Sequence, residues 1–213
     1  AGHNPPSRGA TSEHVSPGLL RVLDRLTDTP AEIVTELGET LRQTPLGAAL
    51  MGDATTRSGP DRSLGYRWFT DPAARGLYAP EEHAYLTRLY ASGLRELATL
   101  RGPGSRATQL ATLLLDRSPE FREAWDAHEV GLRPRDAKHF VHPQVGALEP
   151  TCHRLPDPDQ SHPLRVYTAV PGSGRAGTPR PPARRGAGAG RSRAPHGPRA
   201  PARRARWRHP PLP

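Results

Sequence analysis

Residues 16–53 read SPGLLRVLDRLTDTPAEIVTELGETLRQTPLGAALMGD, and this stretch joins a helical pattern to two strand patterns. Ser16-Pro17 predicts a helix start, because Ser is a favoured N-cap and Pro fits the first helical position. Four leucines follow at helical spacing and form one apolar stripe: Leu19, Leu20, Leu23 and Leu26. Thr29-Pro30 is expected to end this helix.

The pattern then changes from helix to strand. Ile33-Val34-Thr35 is a β-prone run, Leu37-Gly38-Glu39 can turn, and Thr40 to Gln43 can return as a second strand. The run PLGAALM at 45–51 predicts a short apolar helix that Gly52-Asp53 ends.

Helical patterns fill the middle of the chain. Residues 61–69 (DRSLGYRWF) read as a helix, and a short helix from Asp71-Pro72 to about Leu77 follows. The longest helix is expected from Pro80 to about Leu100, with apolar positions close to a 3.6-residue period. Ser105 is expected to cap another helix, and Ser118-Pro119 to open the last one, SPEFREAWDAHEV.

Strand patterns return near the end of this region. Residues 138–142 (KHFVH) and 147–155 each predict a strand, with a turn at Pro143 to Gly146 between them. The run LRVYTAV at 164–170 is the clearest strand pattern in the chain. A helix, two strands, a helical block and three further strands together predict an α+β fold.

The charge is divided unevenly along the 213 residues. The net charge of +9 suggests a nucleic-acid or anionic-surface binder if it is taken for the whole chain. Residues 174–213 contain 11 Arg and no Asp or Glu, whereas residues 1–173 hold 19 Lys and Arg against all 21 Asp and Glu. The first part therefore carries −2 and the tail carries +11.

Both ends of the chain are expected to lie outside the folded domain. Residues 1–15 are polar, rich in Gly and Pro, and predict a disordered linker. Residues 174–213 consist almost entirely of Arg, Pro, Ala and Gly, which predicts a disordered basic C-terminal tail. Out-of-frame translation of a high-GC gene would also produce such a tail, so a frameshift is an alternative explanation.

Several classes of protein are not favoured by the sequence. The chain has no apolar run of about 18 residues, so no membrane span is expected. No secretory leader is expected, because no charged-then-apolar segment opens the sequence. No internal disulfide is expected, because Cys152 is the single cysteine. A cytoplasmic location is the corresponding expectation.

Five runs, in order, resemble a known family of ligand-binding domains: residues 16–53, RWFTDPAARGLY (67–78), RSPEFREAWDAHEV (117–130), KHFVHPQVGALEP (138–150) and residues 155–173. The family is the MmyB-like ligand-binding domain of XRE-type helix-turn-helix transcription regulators, which is common in actinobacteria. The resemblance extends from Ser16 to Ser173, and five ordered matches are more specific than a single short motif.

The resemblance implies a PAS-like fold, which is an antiparallel sheet flanked by helices, over residues 16–173. It also implies an effector-sensing domain that binds a small apolar, fatty-acid-like ligand and shifts its packing or homodimerisation in response. Members of the family carry a DNA-binding helix-turn-helix ahead of this region, and here the segment 1–15 alone precedes it. DNA binding is therefore expected only through a missing N-terminal half, or non-specifically through the tail.

Aromatic and leucine residues of the helical block are candidates for the walls of a ligand pocket, because such pockets are mostly apolar. The candidates are Trp68, Phe69, Tyr85, Leu89, Tyr90, Leu110, Leu114, Phe121 and Trp125. The alternative for each residue is a role in the core, which is where most buried apolar residues belong.

Arg67 and Arg75 flank the run WFTDP and are candidates for binding a ligand carboxylate, since a guanidinium suits bidentate contacts with anions. The alternatives are that they pair with Asp71 or lie in solvent.

Neither a metal or cofactor site nor an enzyme active site is expected. His139, His142, Cys152 and His153 are the one cluster of potential zinc ligands, but His139 and His142 would face opposite sides of a strand. Adjacent Cys152 and His153 conflict in the same way. No G-x-S-x-G, G-x-G-x-x-G after a strand, or P-loop is present.

The tail supports a second hypothesis about function. Eleven arginines without acidic residues would attract nucleic-acid phosphates, because they release condensed counterions on binding. Trp207 could add one stacking contact with a base. A protein that binds nucleic acid non-specifically through its tail is therefore the alternative to the effector-sensing domain.

Overall fold

The computed structural model describes residues 13–157 and 162–169. The helices are α1 (Pro17–Arg25), α2 (Pro45–Met51), α3 (Leu64–Thr70), α4 (His83–Arg101), α5 (Arg106–Arg117) and α6 (Pro119–Asp126). The strands are β1 (Ala31–Val34), β2 (Thr40–Gln43), β3 (Phe140–His142), β4 (Gly146–Leu148), β5 (Pro150–Leu155) and β6 (Leu164–Ala169). The predicted α+β class is confirmed.

Four strands form an antiparallel sheet in the order β2-β1-β6-β5. Ile33 of β1 lies opposite Arg42 of β2 on one side and opposite Leu164 of β6 on the other. The N-terminal hairpin and the last strand are therefore neighbours at the centre of the sheet. The PAS-like antiparallel sheet flanked by helices, which the resemblance implied, is present.

Helix α1 covers the outer face of this sheet. The Ser16 hydroxyl accepts a hydrogen bond from the Leu19 amide at 3.2 Å, so Ser16 is the N-cap that the sequence predicted. The leucine stripe of α1 packs on apolar residues of β1, β2 and β6: Ala31, Ile33, Leu41, Leu164 and Val166. Val15, which the sequence pattern places in the linker, is buried in the same cluster.

The helical block is a second layer with its own core, in which α4 contacts α5 and α6. Phe121 is 0% exposed at its centre, together with Leu114 and Tyr66. The predicted N-caps Ser105 and Ser118 are confirmed, since their hydroxyls accept from the amides of Thr108 and Phe121.

Two predicted helices have different boundaries. The helix expected at 61–69 is a 3₁₀ turn, Gly59–Arg62, followed by α3. Ser63 separates them because its extended backbone lets its hydroxyl donate to the Leu37 carbonyl while it accepts from the Tyr66 amide. The short helix expected after Asp71-Pro72 is only a 3₁₀ turn, Pro72–Arg75, since it closes with i→i+3 bonds.

Helices α4 and α6 are shorter than predicted. Residues Pro80–Glu82 form a 3₁₀ turn, and α4 begins at His83. Helix α6 ends at Asp126, not near Val130, because His128 adopts a left-handed φ of 54° that stops helix propagation.

The C-terminal strands change partners once. The single strand expected at 147–155 is two strands, since β4 pairs with β3 in a separate hairpin whereas β5 pairs with β6. The change falls at Pro150, which has no N–H to continue the β3 ladder. The Pro150 carbonyl instead accepts from the Lys138 amide at 2.9 Å.

The predicted basic tail at 174–213 lies outside the described residues, as does the segment 1–12 of the predicted linker. Within the described part of the chain, no helix combines the length and the hydropathy that a bilayer span needs.

Helix α2 is held tightly against β1 by Thr44 and Gly47. The Thr44 hydroxyl accepts from the amides of Gly47 and Ala31, each at 3.0 Å, and donates to the Thr29 carbonyl at 2.9 Å. A Cβ at Gly47 would overlap the Ala31 carbonyl oxygen. Only a glycine therefore allows this close approach of helix to strand.

We predict that Gly47→Ala lowers the free energy of unfolding by about 1–3 kcal/mol, because the backbone of β1 has to move to admit the new methyl group. Urea denaturation measured by circular dichroism gives this quantity.

The matched control is Gly18→Ala, the same change in the exposed part of α1, where the nearest atom to the new Cβ is the Ser16 hydroxyl at 4.0 Å. This variant should be as stable as the parent protein or up to about 1 kcal/mol more stable. Equal stability of the two variants would contradict the packing described for α2.

Candidate ligand-binding site

The inner face of the sheet carries a buried charge pair. The neighbours of Glu32 along β1 face α1, so Glu32 points to the opposite face, where it lies in register with Arg165 of β6. The Arg165 Nη1 lies 3.3 Å from the Glu32 Oε1. The hydroxyls of Tyr167 and Thr40 also donate to Glu32, each at 3.2 Å. Three donors therefore hold this carboxylate.

Burial changes the proton affinities on this face. Burial alone would lower the pKa of Arg165, but attraction to Glu32 outweighs it and the pKa is raised. Burial raises the pKa of Tyr167 well above the ordinary tyrosine value, and the Glu32 carboxylate raises it further. Burial also raises the pKa values of Tyr78 and Tyr90. Near neutral pH the face consequently presents neutral phenols around one paired charge.

A cavity of about 310 Å³, here called the larger cavity, lies between the β1–β2 turn, helices α3, α4 and α5, and the segment before β3. Its side chains are mainly leucine and aromatic: Leu37, Leu64, Phe69, Leu89, Tyr90, Leu94, Leu97, Leu110, Leu114 and Leu132. Arg165 lies at its sheet side, and the ion pair of Glu96 and Arg133, at 3.1 Å, lines it elsewhere. An apolar wall with few polar groups is typical of ligand pockets, which measure about 300–1,000 Å³.

Gly93 forms part of the wall of the larger cavity from within α4. A Cβ placed on Gly93 would meet no heavy atom within 4 Å, so packing does not require glycine here. A helical φ does not require it either, and glycine costs roughly 0.5–1 kcal/mol relative to alanine inside a helix. The glycine therefore keeps space open at the cost of some helix stability.

A second cavity of about 150 Å³, here called the smaller cavity, lies beside the first. Gly38, Leu64 and Arg165 line both cavities. The walls of the smaller cavity are more polar and include several charged and hydroxyl-bearing residues: Glu32, Thr40, Arg57, Arg67, Asp71, Tyr78 and Arg165.

The structure places five of the nine pocket candidates on the wall of the larger cavity: Phe69, Leu89, Tyr90, Leu110 and Leu114. Three helices of the block bring them together. Their contact with a ligand stays a prediction.

The other four candidates lie within the packing around the cavity. Trp68 is 1% exposed, and its indole N–H donates to the Thr87 hydroxyl at 2.9 Å. Phe121 packs edge-on against Phe69 with ring centroids 4.9 Å apart. Trp125 packs on Phe121 and lies under the Arg95 guanidinium. The Tyr85 hydroxyl donates to the Arg133 carbonyl. Trp68 and Phe121 are buried, whereas Trp125 and Tyr85 are partly buried against the core. A ligand role for these four residues stays a prediction.

The two arginine candidates have different surroundings. Arg75 forms an ion pair with Glu120 and donates to the Trp68 carbonyl at 2.8 Å, so its partner is not Asp71. Arg67 is buried and lines the smaller cavity.

The histidines and cysteine considered as metal ligands make unrelated contacts. His139 Nδ1 lies 3.0 Å from a Glu82 oxygen, His142 Nε2 lies 3.0 Å from the Ala49 carbonyl, and His153 bonds to Thr168. Within residues 13–157 and 162–169, no three His, Cys, Asp or Glu residues are grouped so as to hold a metal ion.

Sequence reasoning missed Glu32, Arg165 and Gly93. A signal existed for Arg165, because it is a charged residue inside the strand pattern 164–170, whereas Glu32 lies just before the strand pattern 33–35. A signal also existed for Gly93, which lies inside the longest predicted helix. The pairing of β1 with β6 could not be read from the local pattern.

Comparison with known proteins identifies one family. The model of the family described as the MmyB-like transcription regulator ligand binding domain matches residues 15–178. No curated protein matches the chain.

We predict that Arg165→Met lowers the free energy of unfolding by about 3–5 kcal/mol, because it leaves the Glu32 carboxylate buried without a counter-charge. In a Glu32→Gln background, Arg165→Met should lower the free energy of unfolding by a smaller amount. The difference between the two decreases measures the coupling energy of Glu32 and Arg165. Urea denaturation at neutral pH gives both values.

The matched control for this cycle is Arg21→Met on α1, where the arginine is exposed. Its effect should stay within about 0.5 kcal/mol of zero. An Arg165→Met cost that is unchanged in the Glu32→Gln background would contradict the pairing.

Proposed function

The chain belongs to the MmyB-like transcription regulator ligand binding domain family, and from that premise we propose that it binds a small, largely apolar effector in the larger cavity. The domain is the effector-binding part of a transcription regulator. A fatty-acid-like molecule has the apolar body that this site would take.

The observation that carries the proposal is the open wall at Gly93. Protein interiors pack as densely as organic crystals, and side chains that face an empty space lose dispersion contacts. Here α4 keeps a glycine where a Cβ would meet no heavy atom within 4 Å, in the wall of a cavity lined by leucine and aromatic residues. An apolar ligand would restore the missing contacts. Ligand binding would therefore explain why α4 keeps a glycine that lowers helix stability.

The charges around the larger cavity support binding rather than catalysis. Arg133 is paired with Glu96 and Arg165 with Glu32, so both cations already have partners. Glu36 of the wall is paired with Arg101, the Ser63 hydroxyl donates to the Leu37 carbonyl, and most other side chains of the wall are apolar. We therefore propose that the domain is not an enzyme.

A ligand changes a regulator only if it binds two states of the protein with different affinity. In an intact regulator the bound and empty states would differ in their affinity for DNA through a helix-turn-helix half, or in their tendency to form a homodimer. DNA binding through a helix-turn-helix half and homodimer formation both stay predictions.

A second function is favoured by the composition of residues 174–213, which carry 11 Arg and no acidic residue. We propose that this segment attracts nucleic acid independently of the folded domain. Its attraction would be electrostatic and would therefore weaken steeply with added salt.

We predict that Gly93→Leu places a side chain inside the larger cavity, preserves the fold and blocks binding of decanol, a neutral medium-chain probe. Decanol should raise the melting temperature of the parent protein because it binds the folded state alone. The variant without decanol should be at least as stable as the parent, since it replaces a helical glycine. Differential scanning fluorimetry with and without decanol measures both effects.

The control is Gly18→Leu, the same change in the exposed part of α1, and it should respond to decanol as the parent protein does. A Gly93→Leu variant that is folded and still stabilised as strongly as the parent would refute the proposed site.

We predict that truncation after Ser173 removes all nucleic-acid binding and leaves the folded domain intact. Fluorescence anisotropy with a labelled duplex of arbitrary sequence, at two salt concentrations, measures the binding. Residual sequence-specific binding by the truncated chain would instead assign DNA recognition to the domain.

A further inference from the structure

Arg67 is a buried arginine whose hydrogen bonds to the protein are incomplete. It lies on α3, is 7% exposed and lines the smaller cavity. A guanidinium has five N–H donors, and the acceptor that the described residues supply is the Asp61 carbonyl. Among those residues, no carboxylate lies within ion-pair distance of Arg67, and Asp61 and Asp71 attract it only from farther away.

Three other partly buried arginines of the described chain meet carboxylates, whereas Arg95 donates to the Trp125 carbonyl instead. Arg75 pairs with Glu120, Arg101 with Glu36, and Arg165 with Glu32. Burying a charge without a partner is costly, so an anion bound beside Arg67 in the cavity would offset part of that cost.

The other charges at the smaller cavity leave an excess of positive charge. Three arginines line it, Arg57, Arg67 and Arg165, against Glu32 and Asp71. Glu32 is already held by Arg165, Tyr167 and Thr40. Asp71 accepts from the Ala73 amide at 3.0 Å, where it caps the 3₁₀ turn.

Burial, and then repulsion by the exposed Arg57, lower the pKa of Arg67.

We propose that the smaller cavity is an oxyanion site in which Arg67 donates to carboxylate or phosphate oxygens and Arg57 adds a second positive charge. A planar guanidinium fork matches such oxygens in a bidentate geometry. A volume of about 150 Å³ holds a group of this size but not a long chain beside it.

The oxyanion has two sources that fit the same chemistry. It is a free anion, or it is the acidic end of a ligand whose apolar body occupies the larger cavity. The second form rests on the proposed function, and the shared walls at Gly38, Leu64 and Arg165 place the two cavities side by side. Asp71 and Glu32 disfavour a group of high negative charge, so a monoanion is the better fit.

The test compares four probes on the parent protein and on Arg67→Met: acetate, inorganic phosphate, decanoate and decanol. Decanoate and decanol share one chain and differ in the charged group, so their difference isolates the oxyanion contact. On the parent protein, decanoate should bind roughly tenfold or more tightly than decanol, as expected for hydrogen bonds to a charged group. On Arg67→Met this preference should disappear while the affinity for decanol is unchanged. Isothermal titration calorimetry measures the affinities.

The free-anion form predicts a different result. Acetate or phosphate alone would then bind the parent protein, would lose affinity for Arg67→Met, and would still bind Gly93→Leu. This outcome supports the oxyanion site even if decanol fails to bind, so failure of the proposed function is distinguishable from failure of this inference.

Two further variants keep the test decisive. Arg57 is exposed and lines the same cavity, so Arg57→Met should fold normally and weaken the same probes by a smaller factor, even if Arg67→Met does not fold. Arg42→Met, an exposed arginine of β2 outside both cavities, should change nothing. The proposal is overturned if decanoate shows no advantage over decanol and neither free anion binds in an arginine-dependent way.

Discussion

The ion pair of Glu32 and Arg165 joins the two ends of the folded chain. It connects β1 to β6 across 133 positions of sequence and lies on the inner face of the sheet. Breaking a buried pair costs several kcal/mol, because the remaining charge has no partner. The pairing of β1 with β6 in turn places α1 on the outer face and the helical block on the inner face, so both cavities depend on this contact.

The same two strands connect the ligand site to α1. Successive residues of β1 face alternately α1 and the cavities: Ala31 and Ile33 pack under the leucine stripe, whereas Glu32 lines the smaller cavity. On β6, Leu164 and Val166 face α1 while Arg165 lines both cavities. Since interiors are close-packed, a ligand that moves this arginine acts on strands that α1 rests on directly.

The local elements were largely predictable from the sequence, because caps and periodicity are local signals. Ser16, Ser105 and Ser118 cap their helices as predicted, and the 138–155 region forms strands. The helix expected at 61–69 was wrong at its start, because Ser63 bonds to Leu37, a residue that no local pattern identifies as its neighbour. The cavities were not predictable for the same reason. They are gaps between distant elements, and the open space at Gly93 becomes visible only once α4 faces the sheet.

The central claim is that the space between the inner sheet face and helices α3 to α5 is the effector site. Its most direct measurement is a crystal structure with bromodecanol, in which the anomalous signal of bromine locates the chain. We expect a bromine peak inside the larger cavity, in contact with Gly93, Leu110 and Leu114. A bromine peak found at the outer surface alone, with these residues packed against one another and no cavity between them, would contradict it.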